Sequence, residues 1–184
     1  TGSQQDTLFK QSDLPFDLSE LPKHFTPFRK KVEAANSPIT PTTLPNGLLP
    51  KPITLCAKKP IERITNKGVM HGGLNSAQAH LKQYFAGAMP STYKTTRNEL
   101  DGFNNTTKFS TWLAFGCISA KQVYKAVENY EQCNTANEST YWIKFELLWR
   151  EYFKWHALKA GKSLFNFKGQ KQTKPLTTFM PNRF

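Results

Sequence analysis

Tyr141-Trp142-Ile143-Lys144-Phe145-Glu146-Leu147-Leu148-Trp149-Arg150-Glu151-Tyr152-Phe153-Lys154-Trp155 decides the fold. Wound at helical spacing the stretch is aromatic nearly all round, and it shows none of the period-two alternation of a strand. Trp142, Phe145, Trp149 and Tyr152 fall on one stripe; Ile143, Glu146, Arg150 and Phe153 fall on its neighbour. A helix that is apolar on every side is usually buried at the centre of a larger domain. Its expected limits are Ser139 and Gly161, the latter a residue suited to ending a helix. No alternating pattern of any length competes, so the second half of the chain reads as all-α.

Glu146 and Arg150 are charges in this apolar setting. One reading is an ordinary i,i+4 ion pair with Glu ahead of Arg, which when exposed contributes only about 0.3–0.5 kcal/mol. The other starts from Trp149, one turn beyond Glu146. A flat ring beside a carboxyl and a guanidinium suits a pocket that stacks a base and hydrogen-bonds its edge. The pattern alone leaves both open.

Upstream, Leu74, Ala77, Leu81, Tyr84 and Phe85 repeat at three-to-four spacing, an amphipathic helix expected to stop near Gly87 and Pro90. Another short helix is expected over Tyr93 to Leu100, closed by Asp101-Gly102; Tyr93 and Arg97 in it are an aromatic and a cation one turn apart. A third helix is expected from the Thr106-Thr107 step to Gly116. Thr106-Thr107-Lys108-Phe109-Ser110 combines hydroxyls, free N–H groups at a helix start and a lysine, which together suit a phosphate. Plain N-capping by Thr106 or Thr107 accounts for the same residues. Ser119 reads as the N-cap of a helix carrying Val123, Tyr124 and Val127. There is no internal repeat.

The first seventy residues read as a connector. Prolines interrupt Leu14-Pro15-Phe16-Asp17-Leu18-Ser19 and Leu21-Pro22. One short helix is expected from Thr26 to Glu33, with Thr26 as N-cap and Pro27 at the first helical position. From Asn36 to Pro60 the repeated prolines imply an extended, surface-hugging segment. So long a connector suits a bridge between two domains, one of them outside this chain; the abrupt opening at Thr1-Gly2-Ser3 hints that the protein begins further upstream.

Twenty-five basic against 13 acidic residues give a net charge of +12. That excess argues for an anionic partner, nucleic acid before membrane, with a solvated basic surface as the plain alternative. Cys56, Cys117 and Cys133 form no CxxC and have no histidine at metal-ligand spacing, so a disulfide framework and a metal site are both disfavoured and a reducing compartment favoured. No apolar run approaches the roughly 20 residues that span a bilayer, and the opening residues do not read as a signal peptide.

In order and spacing these segments resemble the flavin domain of the cryptochrome/photolyase family. The match runs through Gly72-Gly73, Tyr93-Lys94-Thr95-Thr96-Arg97-Asn98, the run from Thr106 to Ser119, Thr135 to Trp142, and Phe145 to Phe153. Lys108, Trp112-Leu113-Ala114 and Phe145-Glu146-Leu147-Leu148-Trp149-Arg150 point to its DASH branch. Leu14-Pro15-Phe16 and Phe25 to Val32 resemble the DASH interdomain connector; only Asn36 to Pro60 is weakly anchored. The implied fold is mainly α: a Pro-rich extended interdomain linker over 1–70, then the first, incomplete part of the helical FAD-binding domain over 71–184.

The resemblance implies roles. Tyr93, Ile143 and Arg150 would lie at the flavin. Thr106, Thr107, Lys108, Phe109 and Ser110 would hold the FAD diphosphate. Glu146 would hydrogen-bond a damaged pyrimidine pair, Trp149 would be the wall on which it packs, and Arg97 and Phe153 would meet the DNA. Thr111 stands where a proline often follows the serine, a small departure. The implied activity is that of a deoxyribodipyrimidine photolyase: light-driven transfer of one electron from reduced FAD to a cyclobutane pyrimidine dimer, splitting of the ring, and return of the electron. The resemblance also implies single-stranded DNA as the substrate, in keeping with the smaller cost of extruding a base there. A folate-type antenna, methenyltetrahydrofolate, would be bound mainly outside this chain.

Two alternatives stand beside this: a blue-light photoreceptor that uses the same FAD without repair, and a light-independent basic helical module that binds nucleic acid. A cytoplasmic location is expected for a bacterial protein, an organellar or nuclear one for a eukaryotic protein. With half the flavin cavity encoded elsewhere, the isolated 184-residue chain is expected to be inactive, to bind FAD weakly or not at all, and to self-associate through the uncovered face of the Trp142 helix.

Overall fold

The computed structural model describes residues 6–41 and 70–166, and among them every regular element is a helix. The α-helices are α1 (Phe25–Ala35), α2 (Leu74–Ala86), α3 (Met89–Thr96), α4 (Ser110–Ala114), α5 (Ala120–Cys133) and α6 (Glu138–Ala160). Short 3-10 turns occupy Gln11–Asp13, Leu18–Glu20, Phe103–Asn105 and Gly161–Phe165. The mainly α architecture expected from the aromatic run is thus what the chain adopts. Most of the extended run expected from Asn36 to Pro60, and the approach to the boundary expected at 70, lie outside the described residues.

The chain forms two compact units that interleave in sequence: Thr1–Thr7 with Ile39–Lys144, and Leu8–Pro38 with Phe145–Phe184. The division falls inside α6.

In the first unit α2 packs on α3 and α5. Helix α2 starts after Gly73, whose φ of +91° is one that L side chains rarely adopt, and buries Ala77 and Tyr84. Helix α5 has the expected N-cap: Ser119 Oγ accepts the Gln122 N–H at 3.1 Å, and Gln122 Oε1 accepts the Ser119 N–H at 2.8 Å. This reciprocal box serves two donors that the first turn leaves over. Val123, Val127 and Tyr130 then turn inward. Helix α6 starts one residue before Ser139 because Asn137 caps it, its Oδ1 accepting the N–H groups of Ser139 (2.9 Å) and Thr140 (3.0 Å).

Two expected helices are corrected. The one placed over Tyr93 to Leu100 spans Met89–Thr96 instead, since Pro90 sits in the first turn, where no N–H is needed. The one placed from Thr106 to Gly116 contracts to the five residues of α4: Lys108 has φ +55°, which no right-handed helix passes through.

The second unit packs α1 and its flanks with the later half of α6. Helix α1 begins at Phe25, one residue ahead of the expected Thr26 cap; His24 is the N-cap, and Pro27 is the third helical residue, still within the turn that tolerates it. Phe25, Phe28 and Val32 are buried, as are Leu8, Phe9, Phe16 and Leu21, so this part of the connector is packed. Tyr152, His156 and Lys159, on one stripe of α6, donate to the carbonyls of Lys23 (2.7 Å), Pro22 (3.1 Å) and Ser19 (2.7 Å). The stretch from Ser19 to Lys23, outside any α-helix, thereby satisfies backbone acceptors through side chains.

Candidate functional site

In the first unit the candidate residues cluster in two places. One is the loop from Phe103 to Ser110. Gly102 turns the chain into it with φ +98°, where a Cβ would lie 2.5 Å from Asn105 Nδ2. Thr96 Oγ1 donates to the Asn105 carbonyl at 2.9 Å, tying the loop to α3. His80 Nε2 bonds the Thr107 carbonyl at 2.9 Å, and the buried Phe109 packs against the rings of His80 and Tyr84 at centroid distances of 5.5 and 5.4 Å. Trp112 Nε1 donates to the His71 carbonyl at 3.0 Å.

Within this frame Lys108 is left-handed (φ +55°) and Phe109 right-handed (φ −70°, ψ −18°). A left-handed residue followed by a right-handed one is the sequence of backbone hands that suits an anion nest, in which three consecutive N–H groups, here those of Lys108, Phe109 and Ser110, serve one anion. Capping by Thr106 or Thr107 is not what they do: the residue at the cap of α4 is Phe109, and no side chain caps it. A five-residue helix has too little dipole to matter, so the nest replaces the helix start as the physical basis for an anion here. Lys108 Nζ lies 5.9 Å from the Phe103 ring centroid, which keeps its charge beside the loop.

The second cluster lies where α3 meets the start of α6. Tyr93 is buried. Arg97 and Lys94 both lie over the Trp142 ring, at 5.1 and 5.0 Å. Lys94 also donates to Glu138 at 2.8 Å, and that ion pair holds the Glu138 carboxyl below its usual range. Ile143 is buried one residue on. Burial, with the neighbouring Tyr93 and Tyr130, pushes the Tyr84 phenol well above its ordinary value, so Tyr84 stays neutral.

In the second unit Glu146, Trp149, Arg150 and Phe153 follow one another along α6. Trp149 stacks on Phe25, ring centroids 3.7 Å apart at 12°, so one face of the expected lesion wall is covered by α1. Phe153 lies 5.5 Å from Trp149 at 25° and is 61% exposed, which leaves it the open aromatic of the series. Glu146 and Arg150 are half-buried.

Three residues hold positions that their sequence context does not announce. Glu151 is fully buried and accepts the N–H groups of Leu8 and Phe9 and the Trp155 indole N–H. His80 holds the Thr107 carbonyl. Trp142 receives two cations. Only Glu151 carried a readable signal, a carboxylate flanked at helical spacing by Leu147 and Trp155.

Elsewhere in the first unit α2 and α5 border a cleft of about 420 Å³ lined by Lys82, Phe85, Tyr130 and Cys133 among others; none of the candidate residues lines it. Among the described residues no group of His, Cys, Asp and Glu could hold a metal ion, and no helix is long and apolar enough to cross a membrane.

No family model matches the chain. Curated relatives do: it is 47% identical over 184 residues to a cryptochrome DASH of Idiomarina loihiensis, covering 97% of this chain and 40% of that one. It is 40% identical to a chloroplastic/mitochondrial cryptochrome DASH of Arabidopsis thaliana, over 89% of this chain and 30% of that one. Among solved structures, a cryptochrome of Synechocystis sp. PCC6803 matches with a TM-score of 0.79 and 39% identity, over 90% of this chain and 36% of that one. The chain therefore spans about two-fifths or less of the length of these relatives.

Proposed function

The chain belongs to the cryptochrome DASH family, matching a segment of its members, and on that premise we propose that it forms part of a FAD-dependent, blue-light-driven photolyase acting on cyclobutane pyrimidine dimers in single-stranded DNA. The observation that carries the reading is the nest at Lys108, Phe109 and Ser110, whose donor set fits a diphosphate. Bound FAD would supply the photoexcited electron that opens the cyclobutane ring.

The chain's own residues position and polarise. The three N–H groups of the nest, the Thr106 and Thr107 hydroxyls and the Lys108 ammonium would hold the diphosphate oxygens. Tyr93, Ile143 and Arg150 would line the flavin. Glu146 would accept hydrogen bonds from the edge of the extruded pyrimidines, and Trp149, steadied by Phe25, would pack on their faces. Arg97 and the exposed ring of Phe153 would meet the neighbouring strand, the first by charge and the second by stacking. The +12 charge favours that polyanion. A methenyltetrahydrofolate antenna would sit mainly on residues outside this chain. Exposed Phe153, Leu158, Leu164 and Phe165 give an isolated chain an apolar surface for self-association.

The test is light-dependent loss of dimers from ultraviolet-irradiated single-stranded DNA by the full-length protein. Loss under blue light and none in the dark is the expected result. Flavin binding with no loss would leave the protein a photoreceptor without repair activity.

A further inference from the structure

We propose that His80 is a positioning residue for the diphosphate loop: by holding the Thr107 carbonyl it aims the Lys108 N–H into the anion nest. The inference rests on the flavin reading above and adds to it a residue on α2, outside the loop itself.

His80 Nε2 lies 2.9 Å from the Thr107 oxygen. A carbonyl only accepts, so Nε2 must carry the proton and donate. The imidazole cannot easily swing away from this task. Its ring sits among Trp112 (4.9 Å), Phe109 (5.5 Å), Phe103 (5.9 Å) and Tyr84 (6.4 Å), measured between centroids.

The consequence follows from peptide planarity. In a trans peptide the carbonyl of one residue and the N–H of the next point in opposite directions across a rigid plane; the chain has no cis bond among its described residues. Fixing the Thr107 carbonyl toward His80 therefore fixes the Lys108 N–H away from it, on the opposite side of the peptide plane. Lys108 is held left-handed, at a conformational cost for an L residue, so an external anchor on the preceding carbonyl is what keeps the first donor of the nest aligned. Without it the 107–108 plane is free to rotate and the three N–H groups lose their common focus. His80 touches no ligand in this scheme; it acts through Thr107 and Lys108.

The experiment uses the full-length protein with three variants at this position. His80→Phe keeps a ring among the four aromatics and removes the donor. His80→Gln keeps an N–H donor of similar reach. His80→Ala removes both. Affinity is measured for FAD and for riboflavin, which lacks the diphosphate, with thermal melting of the flavin-free protein alongside. The wild type should prefer FAD. His80→Phe should bind FAD roughly three- to tenfold more weakly, the loss of one well-placed hydrogen bond, with riboflavin affinity and melting unchanged; His80→Gln should recover most of the difference. Nitrogen-15 spectra of the wild type should show the His80 proton on Nε2. Equal FAD affinity in His80→Phe and wild type would overturn the role of His80 while leaving the flavin reading intact. Parallel loss of FAD, riboflavin and melting temperature would reduce His80 to packing alone and also overturn it. A wild type that binds FAD and riboflavin equally would show that the loop holds no diphosphate and overturn this inference, whereas a wild type that binds neither would remove the flavin reading itself.

Discussion

Glu151 Oε2 accepts the backbone N–H of Leu8 at 2.9 Å, across 143 residues of sequence, and Oε1 accepts those of Phe9 (3.2 Å) and the Trp155 indole (2.9 Å). One fully buried carboxylate on α6 thus latches the segment that precedes α1. Truncation would strand three buried donors, so Glu151→Ala should lower the unfolding free energy by about 3–5 kcal/mol in urea titrations.

The same group gives a pH dependence of definite sign. Burial raises the Glu151 pKa, and the three N–H donors and the Arg150 charge only partly oppose it. A native carboxyl whose pKa lies above the unfolded value binds its proton more tightly when folded. Its contribution is then greatest below the ordinary glutamate range and declines as pH rises through the raised native value. The stability advantage of wild type over Glu151→Gln should accordingly narrow as pH climbs from about 4 toward neutrality. An advantage that widens over that range would contradict the assignment.

Phe25 and Phe153 bracket Trp149 with opposite burial, and their replacement should separate stability from binding. Phe25 is buried against α6, so Phe25→Ala should cost about 3–5 kcal/mol and redshift the Trp149 emission as solvent reaches the indole. Phe153 is exposed, so Phe153→Ala should leave stability within about 0.5 kcal/mol. In the full-length protein it should weaken single-stranded DNA binding by about 1–3 kcal/mol. Unchanged DNA affinity in Phe153→Ala would remove that ring from the proposed interface.

Helix caps allow a graded comparison within the first unit. Ser119→Ala removes one side-chain acceptor from the start of α5 and should cost about 1 kcal/mol. Asn137 serves two N–H groups of α6 and also donates from Nδ2 to the Ser91 carbonyl at 3.1 Å. Asn137→Ala should therefore cost more, about 2 kcal/mol. Equal chemical-denaturation midpoints for the two variants would show that neither the second capped N–H nor the bond to Ser91 adds to stability.

What the sequence made legible, and what it hid, follows from the range of the interactions. Helix α6 and the Ser119 cap were readable because periodicity and capping act over three or four residues. Pro90 misled because proline breaks a helix interior yet suits a first turn, and the sequence does not say which turn it occupies. The loop at Lys108 hid its geometry for a different reason: a left-handed lysine has no sequence signature, so a helix start was expected where a nest stands. Glu151 and His80 were passed over because their partners are main-chain groups, of Leu8 and Phe9 in one case and Thr107 in the other. Those partners present the same N–H or carbonyl whatever residue they belong to.

Lys108 offers the sharpest separation of backbone from charge. Its φ of +55° costs an L residue about 1 kcal/mol, glycine essentially none, and a β-branched residue more still. Lys108→Gly should thus leave the fold as stable as wild type or up to about 1 kcal/mol more stable, with the nest kept and the ammonium gone. Lys108→Val should lose about 1–2 kcal/mol, because the branched side chain drives the residue out of the left-handed region and the three N–H groups out of alignment. In the full-length protein the order of FAD affinity should be wild type, then Lys108→Gly, then Lys108→Val. Equal losses in Lys108→Gly and Lys108→Val would assign the diphosphate to the lysine charge alone. A Lys108→Val protein that binds FAD as well as wild type would mean that the turn at this residue takes no part in binding.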